Sequence, residues 1–211
     1  MRKIMLGLFV ILLGSLFVGC SALDPLSQFE RAAGSNMTII DEFEDVEGDD
    51  NVAQLSIDGS IILLSATLDS SEMTDVEKVQ YIKTLFQEIR VIHAENVLAG
   101  EEVRTSWQSL KTSIEQFREQ ELTLVDDDKS LIKLYRDALM DERTIILEDK
   151  GEIRALFVEL RGKWNRENLD LIITNLEEIK NILEERQAFI QFVNDHVAAV
   201  HLMVEAYLPV V

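Results

Sequence analysis

Apolar residues return at alternating steps of three and four along most of the chain, and the longest such run sets the expected architecture. Between Glu167 and Leu208, the positions Leu169, Ile172, Leu176, Ile179, Leu183, Ile190, Val193, Val197, Val200, Val204 and Tyr207 fall on that grid, and only Arg186 breaks it. This is a heptad seam, the pattern of a helix packed lengthwise against other helices. At a rise of about 1.5 Å per residue it predicts a helix roughly 60 Å long. A second row, Ile173, Ile182, Phe189, Phe192 and Met203, lies beside the first, so the buried stripe is wide enough to touch two neighbours.

A second grid runs through Val79, Ile82, Phe86, Ile89, His93, Asn96, Gly100, Val103, Trp107, Leu110, Ile114 and Phe117. Thr74 and Glu77 ahead of it form a capping box. Because the phase carries through Gly100, the spacing predicts one helix to about Gln120, with a soft point costing about 1 kcal/mol against Ala. A third helix is expected from about Asp128 to Leu160 on Ile132, Tyr135, Leu139, Ile146, Ile153, Leu156 and Leu160, with Glu142 and Asp149 intruding on the grid. Asp126, Asp127 and Asp128 suit the positive end of its dipole. Gly162 should end it and Asn165 should cap the next helix. No proline stands between Pro25 and Pro209, which fits continuous helices and argues against a turn-rich β fold. The fold class expected is all-α: an elongated antiparallel three-helix bundle over residues 52–211, resembling a coiled coil, with a short helix before it.

Polar residues on the three seams converge. Folding about turns near 121–127 and 161–166 sets Gly100 opposite Asp149, Trp107 opposite Glu142, and Glu142 and Arg143 beside Arg186. A polar core layer of His93, Asn96, Glu142, Asp149 and Arg186 is expected, with Glu142 and Arg186 paired. Register specification is the ordinary task of such residues in coiled coils.

Residues 20–51 read differently. Gly34, Ser35, Asn36 and Gly48, with an acidic run from Asp41 to Asp50, predict an acidic flexible tether. The acids between Glu44 and Asp50 lack the ligand alternation and closing Glu of an EF-hand. Asn36-Met37-Thr38 fits the N-glycosylation pattern. From Val52 to Leu68 an apolar stretch contains Asp58-Gly59, a hairpin signal. The start at Asp49 to Asn51 and the face Val52, Leu55, Gly59, Ile62 and Ala66 instead favour a short helix.

Charge narrows the partners. With 39 acidic and 20 basic residues the formal charge is -19, a field that repels phosphate backbones and anionic lipid, so nucleic-acid binding and polybasic membrane adhesion are disfavoured and no nucleic-acid partner is expected. At the start, Arg2 and Lys3 precede an apolar run from Ile4 to Val18, the pattern of a signal peptide over residues 1–19 and too short for a spanning helix.

The residues that follow, Leu16-Phe17-Val18-Gly19-Cys20, resemble the lipobox of bacterial lipoproteins, with Phe17 standing where Leu is usual. The resemblance implies export, acylation of Cys20 and anchoring at the extracytoplasmic face of the cell membrane. Two or more acyl chains hold a protein stably at a bilayer. An anchor followed by a long helical rod, with the stretch Glu184-Glu185-Arg186-Gln187-Ala188-Phe189-Ile190-Gln191-Phe192-Val193-Asn194, also resembles the cell-wall-binding lipoproteins of Gram-positive bacteria. That resemblance implies a non-catalytic envelope role and carries no site residues over.

Reaction chemistry finds little footing. Cys20 is the only cysteine, so thiol redox and thiolate metal sites have no second ligand. His196 and His201 stand five apart and do not share a helix face, and no Glu precedes a histidine by three. There is no Gly-rich phosphate loop and no Gly-x-Ser-x-Gly elbow. No catalytic set, metal or cofactor is expected. The expected partners are the membrane through the lipid anchor and either a cell-wall polymer or another envelope protein; seams completed between chains would give an oligomer. The alternative is an extracytoplasmic helical sensor that binds a small molecule or cation in its polar middle.

Overall fold

The computed structural model describes residues 24–48, 73–148 and 152–209. The described residues are all-α, without strands: α1 is Pro25–Gly48, α2 Asp75–Glu119, α3 Asp126–Glu148, α4 Glu152–Leu160 and α5 Leu169–Glu205, with a single 3-10 turn at Arg166–Asn168 before α5. The signal-like segment, Cys20, the apolar stretch 52–68 and Asp149 lie outside the described residues.

Local chemistry sets the helix ends. Thr74 Oγ1 accepts the Glu77 amide at 3.3 Å while the Glu77 carboxylate accepts the Thr74 amide at 2.7 Å, the reciprocal capping box. The helix it opens continues unbroken through Gly100. After α2 the chain turns at Glu121, whose φ of 52° is left-handed, and the Leu122 amide reaches back to the Phe117 carbonyl at 3.2 Å. Gly162, at φ 75°, makes the turn after α4. Asn165 precedes the 3-10 turn without a side-chain bond to the backbone, so α5 starts at Leu169 rather than directly after Asn165.

α2 and α5 are the structural spine and run in the same direction. Lys78 pairs with Asp170 at 2.6 Å, Tyr81 donates to Glu177 at 2.8 Å, Lys180 meets Glu88 at 2.9 Å, Gln187 donates to Glu95 at 3.0 Å, and Ser113 meets His201 at 3.0 Å. Both numberings rise together. α1 opposes them: its Glu30 binds Arg118 at 2.6 Å and its Asp41 binds Arg104 at 2.8 Å. α3 packs on α1 and α5, and α1 packs on α2. The upper half therefore has four helices in the cyclic order α2, α5, α3, α1.

Over Pro25–Gly48 this corrects the reading of residues 20–51 as a flexible tether. Leu26, Phe29, Ala33, Asn36, Ile40 and Phe43 are buried, spaced three and four apart, a heptad seam of their own that inserts into the bundle. Where α1 reaches, four helices share the core in place of the three expected.

The core has two parts. The upper one joins α1, the second half of α2, α3 and the second half of α5. The lower one joins the first half of α2, α4 and the first half of α5. On α2 the lower core ends at Ile92 and the upper begins at Val103; on α5 the corresponding residues are Leu183 and Phe189.

Candidate functional site

Of the polar residues predicted on the seams, His93, Asn96 and Arg186 fall in the gap between the two cores, while Glu142 stands on α3 between Leu139 and Ile146 of the upper core. Asn96 is only 4% exposed, and its Nδ2 donates to the Leu183 carbonyl at 2.9 Å. That bond crosses from α2 to α5 and lands on a carbonyl one turn below Arg186. Gly100 is buried one turn above Asn96. His93 is half-buried on the same helix, and Glu142 is half-buried on α3.

Arg186 is 1% exposed, so the seam of α5 is continuous in burial although not in chemistry. Its guanidinium lies over the Phe43 ring of α1, 4.4 Å from the centroid. A cation held over an aromatic face in a desolvated site gains on the order of 2 kcal/mol. Among the described residues no ion pair joins Arg186 to Glu142. The residue of α1 that meets the guanidinium here is Phe43.

Three further polar groups in the core were not expected there from the sequence. Asn36 is fully buried, and its Nδ2 donates to the Ala32 carbonyl at 2.9 Å and to the Leu139 carbonyl of α3 at 3.3 Å. The nitrogen that a glycan would need is thus committed inside the core. Asn175, also buried, donates to Glu159 at 3.4 Å and links α5 to α4. Ser113, 7% exposed, meets His201 Nε2 at 3.0 Å, and Glu205 meets that same nitrogen at 3.2 Å. A nucleophilic triad needs the carboxylate on one ring nitrogen and the hydroxyl on the other. Here both share Nε2, so the cluster joins α2 to α5 and cannot relay a proton through the ring. The other carboxyl-terminal histidine, His196, meets the Phe192 carbonyl through Nδ1 at 2.8 Å and stacks edge-on with Tyr135 of α3.

No family model, curated protein or solved structure matches this chain. The functional reading therefore rests on its own residues. Among the described residues no group of three or more His, Cys, Asp and Glu side chains could hold a metal ion, and no helix is long and apolar enough to cross a membrane.

The surface electrostatics follow the helix pairs. The hydrogen bond from Lys180 to Glu88 raises the ammonium pKa above its ordinary value. Tyr81, donating to Glu177, is raised as well. At the upper end Tyr207 donates to Asp128 and accepts the Val125 amide at 3.1 Å; the bond to Asp128 raises the phenol pKa. Partial burial works against ionised Asp24, but the Ser27 hydroxyl and amide, with Arg118, hold its carboxyl below the usual range. What this set of contacts does is fasten helices to one another at fixed heights.

Proposed function

We propose that the chain is a membrane-anchored surface lipoprotein whose helical rod serves as a non-catalytic structural or interaction module of the cell envelope. The observation that carries this is the lipobox-like Leu16-Phe17-Val18-Gly19-Cys20 placed ahead of a long helical body. The body supports it chemically, because Asn36, Asn96, Asn175 and Ser113 each bond to a neighbouring helix. The partner classes are a cell-wall polymer or another envelope protein, met through exposed helix faces. The test is metabolic labelling with radioactive palmitate in a bacterium that acylates lipoproteins: label on the wild type and none on Cys20→Ser supports the reading, and an unlabelled wild type ends it. Partners captured by cross-linking whole envelopes would then identify what the rod meets.

One observation favours a second reading, a binding domain for a small molecule or cation. The amide oxygens of Asn36, Asn96 and Asn194 are buried without a hydrogen-bond partner, and such acceptors would take a bond from internal water or a cation. A melting temperature that rises with added metal ion or metabolite would favour it.

A further inference from the structure

Asp24 begins the described body, and it is fixed there. Its Oδ1 accepts the Ser27 amide at 3.0 Å and its Oδ2 the Ser27 hydroxyl at 2.5 Å, capping α1. Arg118, in the last turn of α2, binds Glu30 at 2.6 Å and Ser27 at 2.9 Å, so the start of α1 is clamped to the end of α2. The same end of the bundle holds the α2–α3 turn and the end of α5, joined by Phe117 against Tyr207 at 5.6 Å and by the Val125 amide on the Tyr207 hydroxyl.

Cys20 lies four residues before Asp24. Four residues reach at most about 14 Å, even fully extended. The opposite end of the bundle is much farther away. Trp164 lies 5.7 Å from Phe86, and Phe86 stands 32 residues below Arg118 on one continuous helix, about 48 Å along its axis. A leash of about 14 Å cannot exchange the two ends.

We propose that the end built from the start of α1, the α2–α3 turn and the end of α5 faces the lipid bilayer, with Val125 at the headgroups and the turn bearing Trp164 pointing outward. This rests on acylation of Cys20 and goes beyond it by assigning a membrane-facing surface. Val125 suits the position, being 57% exposed at the tip of the turn. A rod lying flat would need an apolar flank. The exposed apolar residues along the flanks, Val91 and Leu98 on α2 and Leu134 and Met140 on α3, instead stand among charged neighbours such as Glu95, Glu101, Lys133 and Asp141. The acids at the base, Glu119, Glu121, Asp126 and Asp127, are exposed too, so contact should be closest on zwitterionic lipid.

The test uses the full acylated chain in phosphatidylcholine vesicles carrying a headgroup nitroxide quencher. Val125→Cys and Arg161→Cys are each labelled with a fluorescent maleimide; both positions are exposed and acylated Cys20 no longer presents a thiol. Quenching at 125 at least five-fold stronger than at 161 is expected. Equal quenching, meaning a rod lying flat, or stronger quenching at 161 overturns the orientation while leaving acylation intact. If mass spectrometry finds no acyl chain on the wild type, the anchor reading falls and takes the orientation with it.

Discussion

At position 96 an amide stands where the seam of α2 would otherwise carry an aliphatic side chain. It gains one bond to the Leu183 carbonyl and leaves its own oxygen buried without a partner. A net hydrogen bond contributes about 1 kcal/mol and an unsatisfied buried acceptor costs a similar amount. The two nearly cancel, so Asn96→Leu should leave stability within about 1 kcal/mol of wild type in urea titrations. Asn96→Asp should instead cost about 3 kcal/mol at neutral pH, because a buried carboxylate would face the Leu183 carbonyl. The capping box gives a pH-dependent counterpart. The bond from the Thr74 amide, and then that from the Thr74 hydroxyl, hold the Glu77 carboxyl below its ordinary value. Its folded pKa is thus the lower one, so its contribution is present above the ordinary Glu range and is lost as pH falls through the folded value. The stability difference between wild type and Glu77→Ala, followed by thermal melts, should shrink on acidification from about pH 6 towards about pH 3. Both residues were legible in the sequence, Glu77 from its spacing to Thr74 and Asn96 from its place on the grid. Arg186 was legible as a seam position too. The ring beneath it was not, because a heptad pattern fixes which face of a helix is buried and not which helix covers it.

α1 is the element whose character changed most between sequence and structure. Its seam, Leu26, Phe29, Ala33, Asn36, Ile40 and Phe43, was present in the sequence, but Gly34, Ser35 and Asn36 at its centre are weak helix formers, and the acids after Asp41 outweighed the apolar spacing. Packing overrides propensity here: Gly34 lies against Trp107, whose ring would sit 3.9 Å from an added Cβ, and Asn36 finds carbonyls to bind. Phe29, fully buried, tests the point. Phe29→Ala should destabilise the protein by about 3–5 kcal/mol in chemical denaturation, whereas the same change in a solvated tether would be silent. α2 and α5 were legible nearly to their ends, since each keeps a single phase for its whole length. The upper end of the bundle is held by Tyr207, which ties α5 to the α2–α3 turn. Tyr207→Phe should speed hydrogen exchange of the Val125 amide, the group its hydroxyl accepts.

Across the whole molecule, net charge competes with the exposed ion pairs. A formal charge of -19 repels itself, and the bridges that salt would weaken, such as Lys78 with the largely exposed Asp170, contribute little each. Screening should therefore help more than it harms: raising sodium chloride from about 0.05 to about 0.5 M should raise the melting temperature, by roughly 2–4 °C for each kcal/mol of repulsion relieved.

The shared direction of α2 and α5 bears on how the chain is made. Lys78 and Asp170 meet across 92 intervening steps of sequence, and the clamp between α1 and α2 spans 88. Such pairings are entropically expensive to close and slow to form. A nascent chain halted at residue 168 would leave uncovered the greasy strip of α2 that α5 packs on, a sticky species that invites chaperones and proteases. Maturation thus waits on the last helix to emerge.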